Sequence, residues 1–279
     1  MRLAVWRWLI VDTFHQSLWS GVCALMLGVT GICTLFCFIA GFTRLGADAA
    51  HVRDLQFALA GWGANTAGIL LALTFTAGFL PAFADPNSAL ILLAKPVRRW
   101  QMFLGKFAGV FAFFAAQATL FVGATWAALG VSTGTWSVAY FAVLPMMLLN
   151  FIAFYSFSAL LAVTTRNAVA CVIGSVLFWL LCVAMNFGRH ALVAYDIEQF
   201  SRVSVVLSEA AYWMLPKPVD MLAVLHDCLN PQPLAERVED FGKIQAKGAF
   251  HPAMSLAASL IFPLIVVAMS AYEIETIDY

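Results

Sequence analysis

Charge is what this chain has least of. Only 11% of its 279 residues are Asp, Glu, Lys or Arg, while 63% are hydrophobic; an ordinary globular domain is about 25% charged. So apolar a chain cannot keep its surface wet, and this overrides the one or two soluble domains that length alone would allow. Basic and acidic residues balance at 15 each, and no Lys/Arg-rich block stands out, which argues against nucleic acid as a partner. A phosphate-cradling GxxxxGK[ST] loop is missing, as are HExxH and an acidic pair of the intramembrane protease kind. ATP hydrolysis by the phosphate-loop route is therefore excluded for this chain. Cysteine is present but patternless: Cys23, Cys33, Cys37, Cys171 and Cys182 lie in apolar runs and Cys228 in a polar stretch. That is neither a disulfide framework nor a zinc spacing, and buried thiols of this kind ordinarily pack as small hydrophobes.

What the chain has in abundance is long apolar runs. Roughly 20 apolar residues cross a bilayer, and six stretches qualify: 18–42, 57–84, 104–130, 137–164, 168–187 and 253–272. The expected fold is an all-α membrane protein, a single membrane domain over 1–279 with six transmembrane helices. Residues 1–17 mix Arg2, Arg7, Asp12 and His15 with Trp6, Trp8 and Phe14, which suits a retained, amphipathic interfacial helix. Six spans put both termini on one side. That side collects Arg2, Arg7, Lys95, Arg98, Arg99, Lys106 and Arg166, against Arg44 and Arg53 in the short loops opposite. By the positive-inside rule it is cytoplasmic, as in a multi-pass protein of a bacterial inner membrane. Segment 188–252 then faces outward. Within it Ile197, Phe200, Val203, Val206, Leu207, Ala210, Ala211 and Met214 recur at helical spacing, predicting a helix on or in the outer leaflet. A second short helix is expected over Asp220–Cys228.

The predicted spans carry no Asp, Glu, Lys, Arg or His near their centres. Such a charge costs at least about 2.5–3.5 kcal/mol and normally marks an ion path, so its absence weighs against a proton- or sodium-driven transporter. Amides and hydroxyls remain. Gln117, Asn150 and Asn186 are the candidates for lining a substrate path; the alternative for each is an interhelical hydrogen bond worth about 0.6–2 kcal/mol.

The connection between the second and third spans, 85–106, has a definite construction. Asp85 suits an N-cap and Pro86 the first helical position. Pro96 disfavours helix at Lys95, so the chain turns there and restarts near Val97. Arg98, Arg99 and Lys106 then sit at headgroup level with Trp100 as an interface anchor. Gly105 and Gly109 form a small-xxx-small pair that admits a neighbouring helix.

This stretch, Leu92-Leu93-Ala94-Lys95-Pro96-Val97-Arg98-Arg99-Trp100 followed by Leu104-Gly105-Lys106-Phe107-Ala108-Gly109, resembles the permease subunits of type-2 ABC exporters. The similarity is to the branch containing the permease of the nitrous oxide reductase maturation system. A looser likeness is Leu215-Pro216-Lys217-Pro218-Val219-Asp220, similar to an LPK-x-x-D pattern before the last span of some of these permeases. The resemblance covers the whole chain in topology and about 20 residues in motif. Where those permeases carry an acid and a glycine, this chain reads Pro86-Asn87-Ser88-Ala89, which leaves Asp85 as the substitute acid. The resemblance implies a coupling helix over Asn87–Pro96 seated in a separate ABC ATPase subunit. Leu90, Leu93 and Ala94 would be buried there, with Asp85, Asn87, Lys95, Pro96, Arg98 and Arg99 around them. It also implies a second permease copy or paralogue, no catalytic residue and no cofactor in this chain, and ATP with Mg at the partner. The basic residues taken alone would serve equally to enforce topology. Two other readings stay open: a non-transporting scaffold for an outer-face assembly, and a lipid-modifying enzyme using His190, His226 and His251.

Overall fold

A computed structural model describes residues 2–43, 48–79, 98–195, 202–229 and 239–276. Every regular element among them is helical: α1 (Arg2–Leu18), α2 (Gly21–Gly41), α3 (Ala49–Thr76), α4 (Arg99–Thr133), α5 (Val138–Thr165), α6 (Ala168–Tyr195), α7 (Arg202–Met214), α8 (Pro218–Leu229), α9 (Glu239–Ala246) and α10 (Pro252–Thr276). Six of these, α2 to α6 and α10, are long and apolar enough to cross a membrane. The chain is an all-α, multi-pass membrane protein.

Local chemistry sets the helix ends. Asp48 accepts a hydrogen bond from the Ala50 amide and starts α3. Gly134 closes α4 at φ 73°, where glycine escapes the Cβ clash of the left-handed region. Asn167 Oδ1 accepts from the Val169 amide at 2.9 Å and opens α6. Pro218 begins α8 at the position where a missing N–H costs nothing.

Two spans depart most from the bounds that hydropathy gives. The second begins at Ala49 rather than Phe57 and its helix ends at Thr76, so it is shifted rather than lengthened, and His51, Arg53 and Asp54 fall in its first turns. The fifth runs through Gly188 to Tyr195 rather than stopping at Phe187, and carries Arg189 and His190 within the helix. In the second span, residues Leu59–Gly68 form a π-helix. Two side chains follow that wider register: Asn65 Nδ2 donates to the Ala60 carbonyl and Thr66 Oγ1 to that of Gly61, both five residues back. Gly61 also lets Leu222 of α8 press close, since an added Cβ would lie 2.6 Å from Leu222 Cδ1.

Helix α5 is the centre, packed by α3, α4, α6 and α10. Its seam with α4 is a run of stacked rings: Phe114 on Phe151 at 3.8 Å, Phe151 on Tyr155 at 5.1 Å and Phe107 on Tyr155 at 5.1 Å. On the other side Phe178 of α6 lies between Phe157 of α5 (4.0 Å) and Phe262 of α10 (5.5 Å). Aromatic pairs like these add about 0.5–1.5 kcal/mol beyond their buried area. Helix α2 is peripheral and lies along α4.

At 35 residues α4 is about 52 Å long, well beyond a hydrocarbon core of about 30 Å. Helix α1 accompanies its first half in parallel. Trp6 meets Trp100, Leu9 meets Gly105, Thr13 meets Gly109 and Phe14 meets Phe113, advancing in step. At the opposite end of the bundle, α7, α8 and α9 form a cap. Helix α8 is set among the ends of α3, α5, α6 and α10, with Leu225 and Leu229 in the main core.

Candidate functional site

The most unusual chemistry lies in that cap. Asp220, in the first turn of α8, is completely buried and is met from three helices. His190 of α6 places Nε2 at 2.8 Å from Oδ1. Ser255 of α10 donates to Oδ2 at 2.5 Å, and the Tyr212 hydroxyl of α7 donates to the same oxygen. Burial pushes the Asp220 carboxyl up, but the His190 contact and the Ser255 and Tyr212 donors outweigh it and hold the carboxyl below its usual range. Burial, reinforced by the carboxylate, pushes the Tyr212 hydroxyl up, so it stays a donor.

Two cations also lie around this carboxylate. Lys217, between α7 and α8, is also completely buried. Its backbone N–H donates to Ser259 of α10 at 3.1 Å. Its ammonium lies 4.7 Å from the Tyr212 ring centre, 4.9 Å from that of Trp213 and 3.4 Å from the Leu215 carbonyl. Burial brings the amine down to about 8, although Asp220 favours its charged form. Arg189 of α6 sits over the same tyrosine ring at 4.6 Å, pairs with Glu209 of α7 at 3.0 Å and donates to the Ala249 carbonyl. Trp213 donates to the second oxygen of Glu209. Lys247 reaches back to the Val193 carbonyl at 2.8 Å.

The arrangement is a polar clamp between two spans. Helices α6 and α10 meet in mid-bundle through Phe178 and Phe262, and at the cap end α7 and α8 bridge them. Arg189, Lys217 and His190, with the carboxylates of Asp220 and Glu209, hold that bridge, and all but Glu209 are buried. Removing Asp220 would leave the buried Lys217 ammonium without its carboxylate.

The residues selected from sequence are dispersed. Asp85, Asn87, Leu90, Leu93, Lys95 and Pro96 lie outside the described residues. Arg98 is the N-cap of α4, its carbonyl accepting from the Gln101 and Met102 amides, and Arg99 is the first helical residue. Gly105 and Gly109 face α1 so closely that an added Cβ would stand 2.9 Å from Leu9 Cβ and 2.6 Å from Thr13 Cβ. The three amides occupy separate contacts: Gln117 donates to Cys23 Sγ of α2, Asn150 to Asn65 Oδ1 in the π segment, and Asn186 to the Cys182 carbonyl of its own helix. All three are buried. Among the three histidines, His190 belongs to the clamp, His226 packs edge-on against Phe57 of α3, and His251 is exposed ahead of α10.

Sequence reasoning named Lys217, Asp220 and His190 in unrelated contexts and passed over Arg189, Tyr212 and Ser255. The available signal was the spacing Cys182, Asn186, Arg189 and His190, which is one helical face continuing past Gly188. Among the described residues no three His, Cys, Asp or Glu side chains gather as a metal site. In comparisons with known proteins, no family model and no curated protein matches this chain.

Proposed function

We propose that this chain is the membrane-spanning permease subunit of an ATP-driven ABC exporter, forming the translocation path and driven by a separate ATPase subunit. The observation that carries the reading is the ordered string Lys95-Pro96-Val97-Arg98-Arg99-Trp100 and Leu104-Gly105-Lys106-Phe107-Ala108-Gly109 at the junction of the second and third spans. Positive-inside topology accounts for the basic residues but not for Pro96, Trp100 and the glycine pair in that order. The fold supports it mechanically. Because α1 and α4 pack in parallel through Gly105 and Gly109, a displacement applied just before Arg98 moves both helices together. The chain lacks a phosphate loop, so nucleotide and Mg belong to the partner. The permease would pair with a second copy or a paralogue in a bacterial inner membrane, both termini in the cytoplasm.

Co-purification tests this directly. The chain is co-expressed with its candidate ATPase, and Leu90→Asp and Leu93→Asp are compared with the unaltered protein. The expected outcome is loss of the ATPase subunit and of its stimulated hydrolysis, with the permease still monodisperse in detergent. An ATPase that stays bound and stimulated in both variants refutes the coupling assignment.

A further inference from the structure

Helix α3 starts at Ala49, ahead of the apolar run that begins at Phe57, so its first turns bring polar side chains against the cap. Gln56 is completely buried, yet neither its amide nitrogen nor its amide oxygen has a hydrogen-bond partner among the described residues. Arg53, one turn earlier on the same face, is half-buried, and its Nε–H is enclosed and unpaired. From α8 the His226 ring meets Phe57 edge-on at 5.2 Å, and its Nε2 is likewise buried without a partner. The contacts between the two helices share one register. Phe57 faces His226 and Gly61 faces Leu222, as in antiparallel helices read four residues at a time. The three orphaned groups therefore lie within about one turn of one another, beside the last turn of α8. Each unpaired buried polar atom is costly and uncommon, and such atoms on three neighbouring side chains mark a site that a ligand completes.

We propose that Arg53, Gln56 and His226 bind a phosphate group at the cap-end rim of the bundle. The donor set selects this ligand. A guanidinium only donates, repels cations, and has a planar fork that suits phosphate oxygens. The Gln56 amide offers an N–H donor and a C=O acceptor, so the ligand must also present a hydroxyl or an ammonium. A phospholipid headgroup has both, as its phosphate and the glycerol hydroxyl or ethanolamine ammonium beside it. Inorganic phosphate has both within one ion. Asp227 stands 3.7 Å from His226 Nδ1 and is 57% exposed, so it is solvated and leaves Nε2 for the ligand. The level of the site also fits. At 28 residues α3 is about 42 Å long, beyond a hydrocarbon core of about 30 Å, so its polar first turns reach the headgroups. His226 is 24% exposed, which leaves the site open at its edge. The inference rests on the membrane character of the chain and not on transport.

Thermal unfolding of the full chain, in a maltoside detergent and stripped of lipid, tests this. The probes are phosphatidylglycerol, a diglucosyl diacylglycerol with the same acyl chains and no phosphate, sodium phosphate, and sodium chloride at matched ionic strength. Phosphatidylglycerol or sodium phosphate should raise the midpoint by several degrees, as a ligand of the folded state does, while its phosphate-free counterpart does not. A rise in the lipid arm identifies a headgroup and a rise in the salt arm a free anion. The rise should fall to roughly half or less in Gln56→Met, which keeps the shape and lacks the amide, and in Arg53→Gln. Arg53 is only half-buried, so the comparison survives if the Gln56 variant fails to fold. No rise with either phosphate probe, an equal rise with the phosphate-free controls, or a rise undiminished in the variants overturns the proposal.

Discussion

At the scale of single residues, Asp220 carries the most. It contacts His190, favours the charged form of Lys217 and accepts from Tyr212 and Ser255 in a site closed to water. Asp220→Ala should cost about 3–5 kcal/mol, the usual penalty for orphaning buried charge, read as a lowered unfolding midpoint in detergent. The pH profile should have two limbs. Asp220 has a lower pKa folded than unfolded, so its contribution is complete above the unfolded value of 3.8 and is lost as pH falls through the folded one. Lys217 acts in another window. Between about 8 and 10.5 the folded chain has shed a proton that the unfolded chain still binds, so stability rises with pH there. Lys217→Met, similar in volume and uncharged, should abolish the alkaline rise and keep the acid limb; melting midpoints across pH check both.

At the scale of elements, glycine marks two features. Gly105 and Gly109 are needed for close approach. A methyl at Gly109 would meet Thr13 Cβ at 2.6 Å and the Ile10 carbonyl at 3.1 Å, and a backbone atom cannot swing aside. Gly109→Leu should therefore separate α1 from α4 at a cost of about 1–3 kcal/mol, seen as faster trypsin cleavage after Arg7. The π segment instead uses Gly61, Gly63 and Gly68 in a stretch whose amide side chains bond in the five-residue register. The small-xxx-small spacing was legible from sequence, although its partner was not, because spacing says that a helix approaches and not which one. The π register was illegible. Hydropathy counts apolar residues identically in either winding, and the Asn65–Asn150 bond that accompanies it joins residues 85 positions apart.

At the scale of the molecule, one end is basic and the other end is clamped. Arg98 and Arg99 enter α4 at the first end, and Arg166 closes α5 there. The cap joins α6 to α10 at the second. With the exposed native thiol of the cap removed by Cys228→Ser, a cysteine introduced at Thr135, and another at Gly248, should react with a membrane-impermeant thiol reagent added to intact cells, while one at Arg166 should react only after permeabilisation. The reverse pattern would invert the proposed topology.

Hydrophobic excess in runs of this length by itself determined that this chain lies in a membrane, is helical and crosses six times, because a run of roughly 20 apolar residues fits a helical span, whose backbone is satisfied internally, and not the shorter strand of a barrel. Composition and local spacing suffice for that, since each span answers to lipid one residue at a time. The site needed the tertiary structure. From sequence, Arg189 and His190 fall in the outward segment beyond the fifth span; in the fold that span runs on past them, and Glu209 and Asp220, from helices further along the chain, pair with them inside it. Whether a charge ends a helix or is buried within one depends on its partner, and the partner's position is a property of the fold.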